Sequence, residues 1–107
     1  MYKVKVSDKA NADILNITTY IVNELKNVPA AIKLRQSIEK SKSTLEVFPY
    51  SRAVYFRHPT LKREYHGFNV RNYVMFYYID DENGLVVISR VYHSKQSHEQ
   101  LLLKEEK

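Results

Sequence analysis

The spacing of apolar residues changes once along this chain, and that change limits the fold more than any other feature. Ala10, Ile14, Ile17, Ile21 and Leu25 recur at intervals of three and four. So do Ala31, Leu34, Ile38, Leu45 and Phe48, with Ser41 in the one polar step. Each series is a single apolar stripe along a helix. Beyond Glu64 the helical spacing stops. "NYVMFYYID" and "LVVISRVYH" are short and dense in aromatic and β-branched residues, the composition of strands. Between them lies "DDENG", whose Asn83-Gly84 tolerates the positive φ of a tight turn.

The remaining elements follow from local chemistry. Tyr2, Val4 and Val6 alternate with Lys3, Lys5 and Ser7, which predicts a half-buried first strand. Ser7 or Asp8 can cap the first helix, expected from Asp8 to about Lys26. Pro29 suits the first turn of the second helix, and Pro49 ends it. Two helices joined this tightly form an antiparallel hairpin. "PYSRAVYFRHPTLKR" has two prolines and little periodicity, and reads as a loop with a short turn of helix. "REYHGFNV" reads as a strand in which Gly67 marks a bulge or a close backbone approach. "NYVMFYYID" should be the central strand, buried on both faces, and the tail from Gln96 a short last helix ending in the polar "KEEK". The fold expected is α+β. An N-terminal strand and an antiparallel helical hairpin pack on a small, mainly antiparallel sheet built on a three-stranded meander, with the first strand at its edge. Residues 1–107 are expected to form one domain.

Composition narrows the function. With 107 residues, 44% hydrophobic and 27% charged, the chain can bury a core without staples. It contains no cysteine, so disulfides and thiolate metal sites are excluded. "MYKVKVSDKA" lacks the apolar stretch of a signal peptide, and no window approaches the roughly 20 apolar residues of a membrane span. A cytoplasmic protein with no membrane partner is expected. The net charge of +5 is localised. From Arg52 to Tyr73, Arg52, Arg57, Lys62, Arg63 and Arg71 stand against Glu64 alone, which gives +4. From Val74 onward four basic and six acidic residues give −2. A basic excess of this kind either solvates a face or meets an anionic partner, nucleic acid or acidic protein.

The chemistry-bearing groups gather where the last strand runs out. By parity Val86, Ile88, Arg90 and Tyr92 should share one face, and Leu85, Val87, Ser89, Val91 and His93 the other. Arg90 is a rigid fork for phosphate or carboxylate, or else half of an internal ion pair, for instance to Asp80 or Asp81 or to a chain terminus. His93 can exchange a proton near neutral pH, or simply cap the strand. Tyr92 can stack on a base or pack, and Lys95 can steady a phosphate. Glu64 and His66 alternate and can share a face, while Glu46 lies at the end of the second helix. Two glycines cannot make a phosphate-cradling loop, and His58, His66, His93 and His98 have no metal-ligand spacing, so no cofactor or metal is expected.

Three stretches carry a resemblance to a known family. "KANADILNITTYI", "REYHGFNVRN" and "NYVMFYYIDDENGLVVISRVYH" occur in an order that resembles the RelE/ParE superfamily of bacterial toxins from type II toxin–antitoxin pairs, over Tyr2 to Leu102. The resemblance implies a toxin that arrests growth when free of a cognate antitoxin encoded beside it. It also implies one of two targets. ParE-like members block DNA gyrase by protein binding. RelE-like members cleave messenger RNA on the ribosome without a metal. The hairpin with "DILNITTYI" is similar to the ParE branch. The tail from Ser94 to Lys107 has no aromatic residue, unlike RNA-cleaving members that place a catalytic tyrosine there. If the chain cleaves RNA, His93, Arg90 and Tyr92 are the expected catalytic groups, and Arg63, Arg71 and Lys95 the expected target-binding ones. A member that only binds its antitoxin is the third reading.

Overall fold

The computed structural model describes residues 1–56 and 58–106, with Phe56 as backbone alone. Arg57 of the basic segment and Lys107 of the polar tail lie outside the described residues. Strand β1 (Lys3–Val6) leads into helix α1 (Asp8–Asn23). The turn between them is fixed by Ser7, whose hydroxyl accepts the Ala10 amide at 3.0 Å, as an N-cap should. The first helix ends three residues before Lys26, because Lys26 itself adopts φ 52. Leu25 therefore leaves the stripe and is 56% exposed. Asn27 then caps α2 (Val28–Val47) by accepting the Ala30 amide, with Pro29 in the first turn.

The expected loop after Pro49 contains more structure than its sequence indicates. Pro49–Ser51 form one 3-10 turn, pinned to the sheet where the buried Tyr77 hydroxyl donates to the Pro49 carbonyl at 2.8 Å. Val54–Phe56 then form β2, a fifth strand. Strands β3 (Tyr65–Val70), β4 (Tyr73–Asp80) and β5 (Leu85–His93) make the meander, and α3 (His98–Glu105) closes the chain. The sheet order is β1-β5-β4-β3-β2, with β1 parallel to β5 and every other pair antiparallel. The expected α+β architecture, with β1 on an edge and β4 central, is the one observed.

Helices α1 and α2 cover one face. Ala10, Ile14, Ile21, Ala31, Leu34, Ile38 and Leu45 meet Phe68, Val70, Met75, Tyr77, Val86, Ile88 and Val91 there. The opposite face, here the open face, carries a smaller cluster of Tyr65, Val74, Phe76 and Tyr92 under Leu102 of α3. Gly67 lies at a close approach: a Cβ built there would stand 2.4 Å from the Tyr55 ring. Its missing side chain is what lets β2 lay Tyr55 across the sheet, edge-on to Phe76 with ring centroids 5.0 Å apart.

The parity expected for β5 does not hold. The register passes from Phe76↔Arg90 to Tyr77↔Ile88, so Ser89 is an extra residue, a β-bulge. Its polar groups are satisfied: the Ser7 hydroxyl donates to the Ser89 carbonyl at 2.9 Å, and the Ser89 hydroxyl donates to the Phe76 carbonyl at 3.2 Å. A one-residue insertion swaps the faces of everything beyond it. Val86 and Ile88 face the hairpin, whereas Arg90 and Tyr92 pair with Phe76 and Val74 on the open face.

Gly67→Ala should displace the Tyr55 ring and destabilise the protein by about 1–3 kcal/mol in denaturant unfolding. Adding Tyr55→Ala should then cost less than it does in the parent, because the clash is already relieved. Strict additivity of the two changes would contradict the close approach.

Candidate functional site

Sequence placed Arg90, Tyr92 and His93 together, and the bulge separates them. Arg90 turns over the edge of β5, beyond the end of the short β1, toward α1. Its Nε and Nη2 donate to the two carboxylate oxygens of Asp13 at 2.7 and 2.9 Å, and its Nη1 donates to Glu105 of α3 at 2.8 Å. Asp13 also accepts the Val91 amide at 2.9 Å, which satisfies an otherwise open edge group. Lys9 completes the set at 2.8 Å from Glu105. The internal ion pair is thus made with Asp13 and Glu105, and not with Asp80 or Asp81.

The energetics agree with this arrangement. The Arg90 and Asp13 side chains are 23% and 14% exposed. A two-pronged arginine–carboxylate pair at that depth is screened far less than a surface pair. The hydrogen bonds to Asp13, outweighing the cost of burial, raise the Arg90 pKa above its already high ordinary value. Burial pushes Glu105 up, but its bonds to Lys9 and Arg90 more than offset this and hold its carboxyl below the usual range.

Tyr92 is buried under α3, with the Arg90 guanidinium 4.9 Å from its ring centre and the His98 ring stacked on it at 6.3 Å. Burial, opposed by the Arg90 charge, moves its hydroxyl up to about 12. His93 lies at the end of β5, paired with Tyr73 and edge-on to its ring at 5.4 Å. Its Nδ1 accepts the Lys95 amide at 3.1 Å and its carbonyl accepts the His98 ring nitrogen at 2.7 Å. Arg71, at φ 54, forms the adjoining turn, and the Ser94 amide donates to the Asn72 carbonyl at 2.9 Å. Arg71, His93 and Lys95 therefore gather at one end of the sheet. Arg63 lies elsewhere, with its guanidinium 4.2 Å from the Tyr78 ring centre on the open face.

The Glu64–His66 pair does not assemble as an exposed couple. His66 is buried, stacked on Tyr77 at 5.1 Å, with its Nδ1 2.6 Å from the Arg52 carbonyl. Glu64 precedes β3 and is exposed. Glu46, half-buried, accepts the Tyr2 amide through its carbonyl. Among the described residues, no three His, Asp or Glu side chains converge as a metal ion would require. Among the described residues, no helix is long and apolar enough to cross a membrane.

Two polar clusters escaped the sequence reading. Asp13 had a signal: it sits beside the stripe, three residues after Ala10 and next to Ile14, where a lone carboxylate needs a partner. The other is Asp81, whose carboxylate accepts the Tyr2 hydroxyl at 2.5 Å and also the Tyr50 hydroxyl. These bonds pull Asp81 below its ordinary value, and the same contact moves Tyr50 up to about 12. No spacing rule links positions 2, 50 and 81.

The open face also holds a cleft of about 900 Å³, bounded by Lys5 and Ser7 on one side and Lys62 and Arg63 on the other, over Tyr78, Leu85 and Val87. The hairpin's outer surface exposes large apolar side chains, with Leu15 at 62% and Ile32 at 51%.

Comparison with known proteins places this arrangement. The family profile described as ParE toxin of type II toxin-antitoxin system, parDE, matches residues 4–98. Among solved structures, one titled chromosomal ParDE TA system from P. aeruginosa is similar with a TM-score of 0.68 at 18% identity, covering 89% of this chain and 98% of that one. At that identity the likeness is one of fold. No curated protein shows a significant sequence match.

The ion-pair network predicts acid sensitivity. Glu105 and Asp81 have depressed pKa values, so the stability they contribute is present above their ordinary values of 4.5 and 3.8 and is lost as pH falls through the lower folded ones. Denaturant unfolding followed from neutral pH to about pH 3 should show this loss. Glu105→Gln should be less stable at neutral pH and have a shallower acid slope. An unchanged slope would contradict the assignment.

Proposed function

The chain belongs to the ParE toxin family of type II toxin–antitoxin systems, and from that premise we propose that, free of its antitoxin, it arrests growth by binding and inhibiting DNA gyrase in the cytoplasm. Its neutralising partner is an antitoxin protein. The observation that carries the mechanism is the state of Arg90. A nuclease needs a cation free to meet the scissile phosphate and an acid–base group beside it. Arg90 is already filled by Asp13 and Glu105, the Tyr92 ring is packed with Phe76 and Leu102, and His93 is on the other side of the strand. What the protein offers instead is surface: exposed leucine and isoleucine on the hairpin and cationic groups at both ends of the sheet. Such a toxin acts by occupying a partner, with Arg63, Arg71 and Lys95 as the proposed target-facing cations.

A second reading, ribosome-dependent cleavage of messenger RNA, keeps one observation in its favour. Arg71, His93 and Lys95 do share one end of the sheet. In that reading His93 moves the proton and the two cations hold the phosphate, without Arg90.

Purified antitoxin-free protein should inhibit gyrase supercoiling at close to stoichiometric amounts, and His93→Ala should leave that inhibition intact. In cells, brief induction should raise a DNA-damage response with messages uncut. Codon-phased RNA cuts that disappear with His93→Ala would select the second reading.

A further inference from the structure

Where α2 runs into the 3-10 turn, the surface is apolar and electrically neutral. Val47, Phe48 and Tyr50 are exposed there, Phe48 at 64% and Tyr50 at 59%. With Tyr2, Pro49 and Ser51 they line a recess of about 460 Å³, and none of the six carries a charge at neutral pH. The Phe48 ring thus stands at the rim of a hollow made largely of aromatic and aliphatic groups.

The shape of the recess is fixed by bonds within the chain. The Phe48 amide donates to the Thr44 carbonyl at 2.8 Å, the Ser51 amide to the Phe48 carbonyl at 3.1 Å, and the Tyr2 amide to the Glu46 carbonyl at 2.9 Å. The Pro49 carbonyl takes the Tyr77 hydroxyl, and the Asp81 carboxylate takes those of Tyr2 and Tyr50. A partner arriving here meets preset rings with their polar groups already engaged. A nucleic acid needs cations, and an added strand needs open main-chain groups. An apolar surface of matching shape needs neither.

Charge selects among apolar partners. The whole chain carries +5, so two copies repel wherever their basic faces meet. Beside the recess the count is even: Lys3 and Arg52 adjoin Tyr2 and Ser51, while Glu46 and Glu82 adjoin Val47 and Asp81. Two identical surfaces of this kind meet no field of one sign, and their border charges can pair crosswise about a two-fold axis.

We propose that this recess is a contact between two copies of the chain, in which the Phe48 ring of each enters the hollow of the other. An aromatic side chain offers about 150–250 Å² for burial. At the observed exposures Phe48, Tyr50, Val47 and Tyr2 together supply about 400 Å² per copy before any rim residue is counted, the size of a transient contact and not of an obligate one. The dimer is therefore weak and concentration-dependent. Tyr50 also walls the cleft on the open face, so the clefts of the two copies border one interface. None of this depends on which cellular target the protein has.

Sedimentation of the antitoxin-free protein from about 5 μM to about 1 mM tests the contact. A reversible monomer–dimer equilibrium is expected, and added salt should strengthen it by screening the net charge of the two copies. Phe48→Ser and Val47→Ser should each weaken the dimer by about tenfold or more, whereas Phe48→Leu should weaken it less. Circular dichroism reports whether each variant is folded. Three results would overturn the proposal. One is a strict monomer over the whole range, which would leave the recess to a different protein. Another is a dimer that survives Phe48→Ser and is lost with Ile32→Asp on the outer surface of the hairpin. The third is a dimer that salt dissociates, since charge and not the apolar recess would then hold it.

Discussion

One guanidinium joins the three layers of this protein. Arg90 projects from β5, grips Asp13 of α1 with two donors and Glu105 of α3 with a third, while Asp13 also takes the Val91 amide. The Ser89 bulge places Arg90 beside Phe76 on the open face, at the strand edge from which it reaches Asp13. Removing one partner from a buried pair costs about 3–5 kcal/mol, and somewhat less is expected here because the Arg90 side chain is 23% exposed. The same network holds α3 over Tyr92 and Phe76, so the cover on the open face depends on it as well.

Much of the fold was legible because helices and buried strands repeat their signal. The two stripes named Ala10, Ile14, Ile21, Leu34, Ile38 and Leu45, all of which are buried. The density of aromatic and β-branched residues in β4 marked it as central. What failed to show was short or cooperative. Strand β2 has three residues, Val54–Phe56, too few for a period to emerge. It exists because Gly67 of its neighbour leaves room for Tyr55. The Ser89 bulge is set by pairing with β4 and by Ser7, so nothing inside "LVVISRVYH" announces it. Yet it decides which face Arg90 and Tyr92 occupy.

The candidate site was legible as composition and not as geometry. Cations, a histidine and tyrosines near the end of β5 are all present, but the chain distributes them. Arg90 and Tyr92 belong to the packing beneath α3. Arg71, His93 and Lys95 end the sheet, and Arg63 lies on Tyr78 across the open face. The sheet supplies positions, and the side chains at its margins decide what those positions can do. In this chain the margins carry exposed apolar residues on the hairpin and Lys5 and Lys62 beside the cleft on the open face.

The most direct test of this account is a double-mutant cycle between Asp13 and Arg90, with Asp13→Ala, Arg90→Met and the pair compared by equilibrium denaturant unfolding. The account predicts strong coupling, about 1–3 kcal/mol, because each group is partly buried against the other. Additivity to within about 0.5 kcal/mol would contradict it. It would mean that the Arg90 guanidinium is not committed to the fold and stands free to meet an anion.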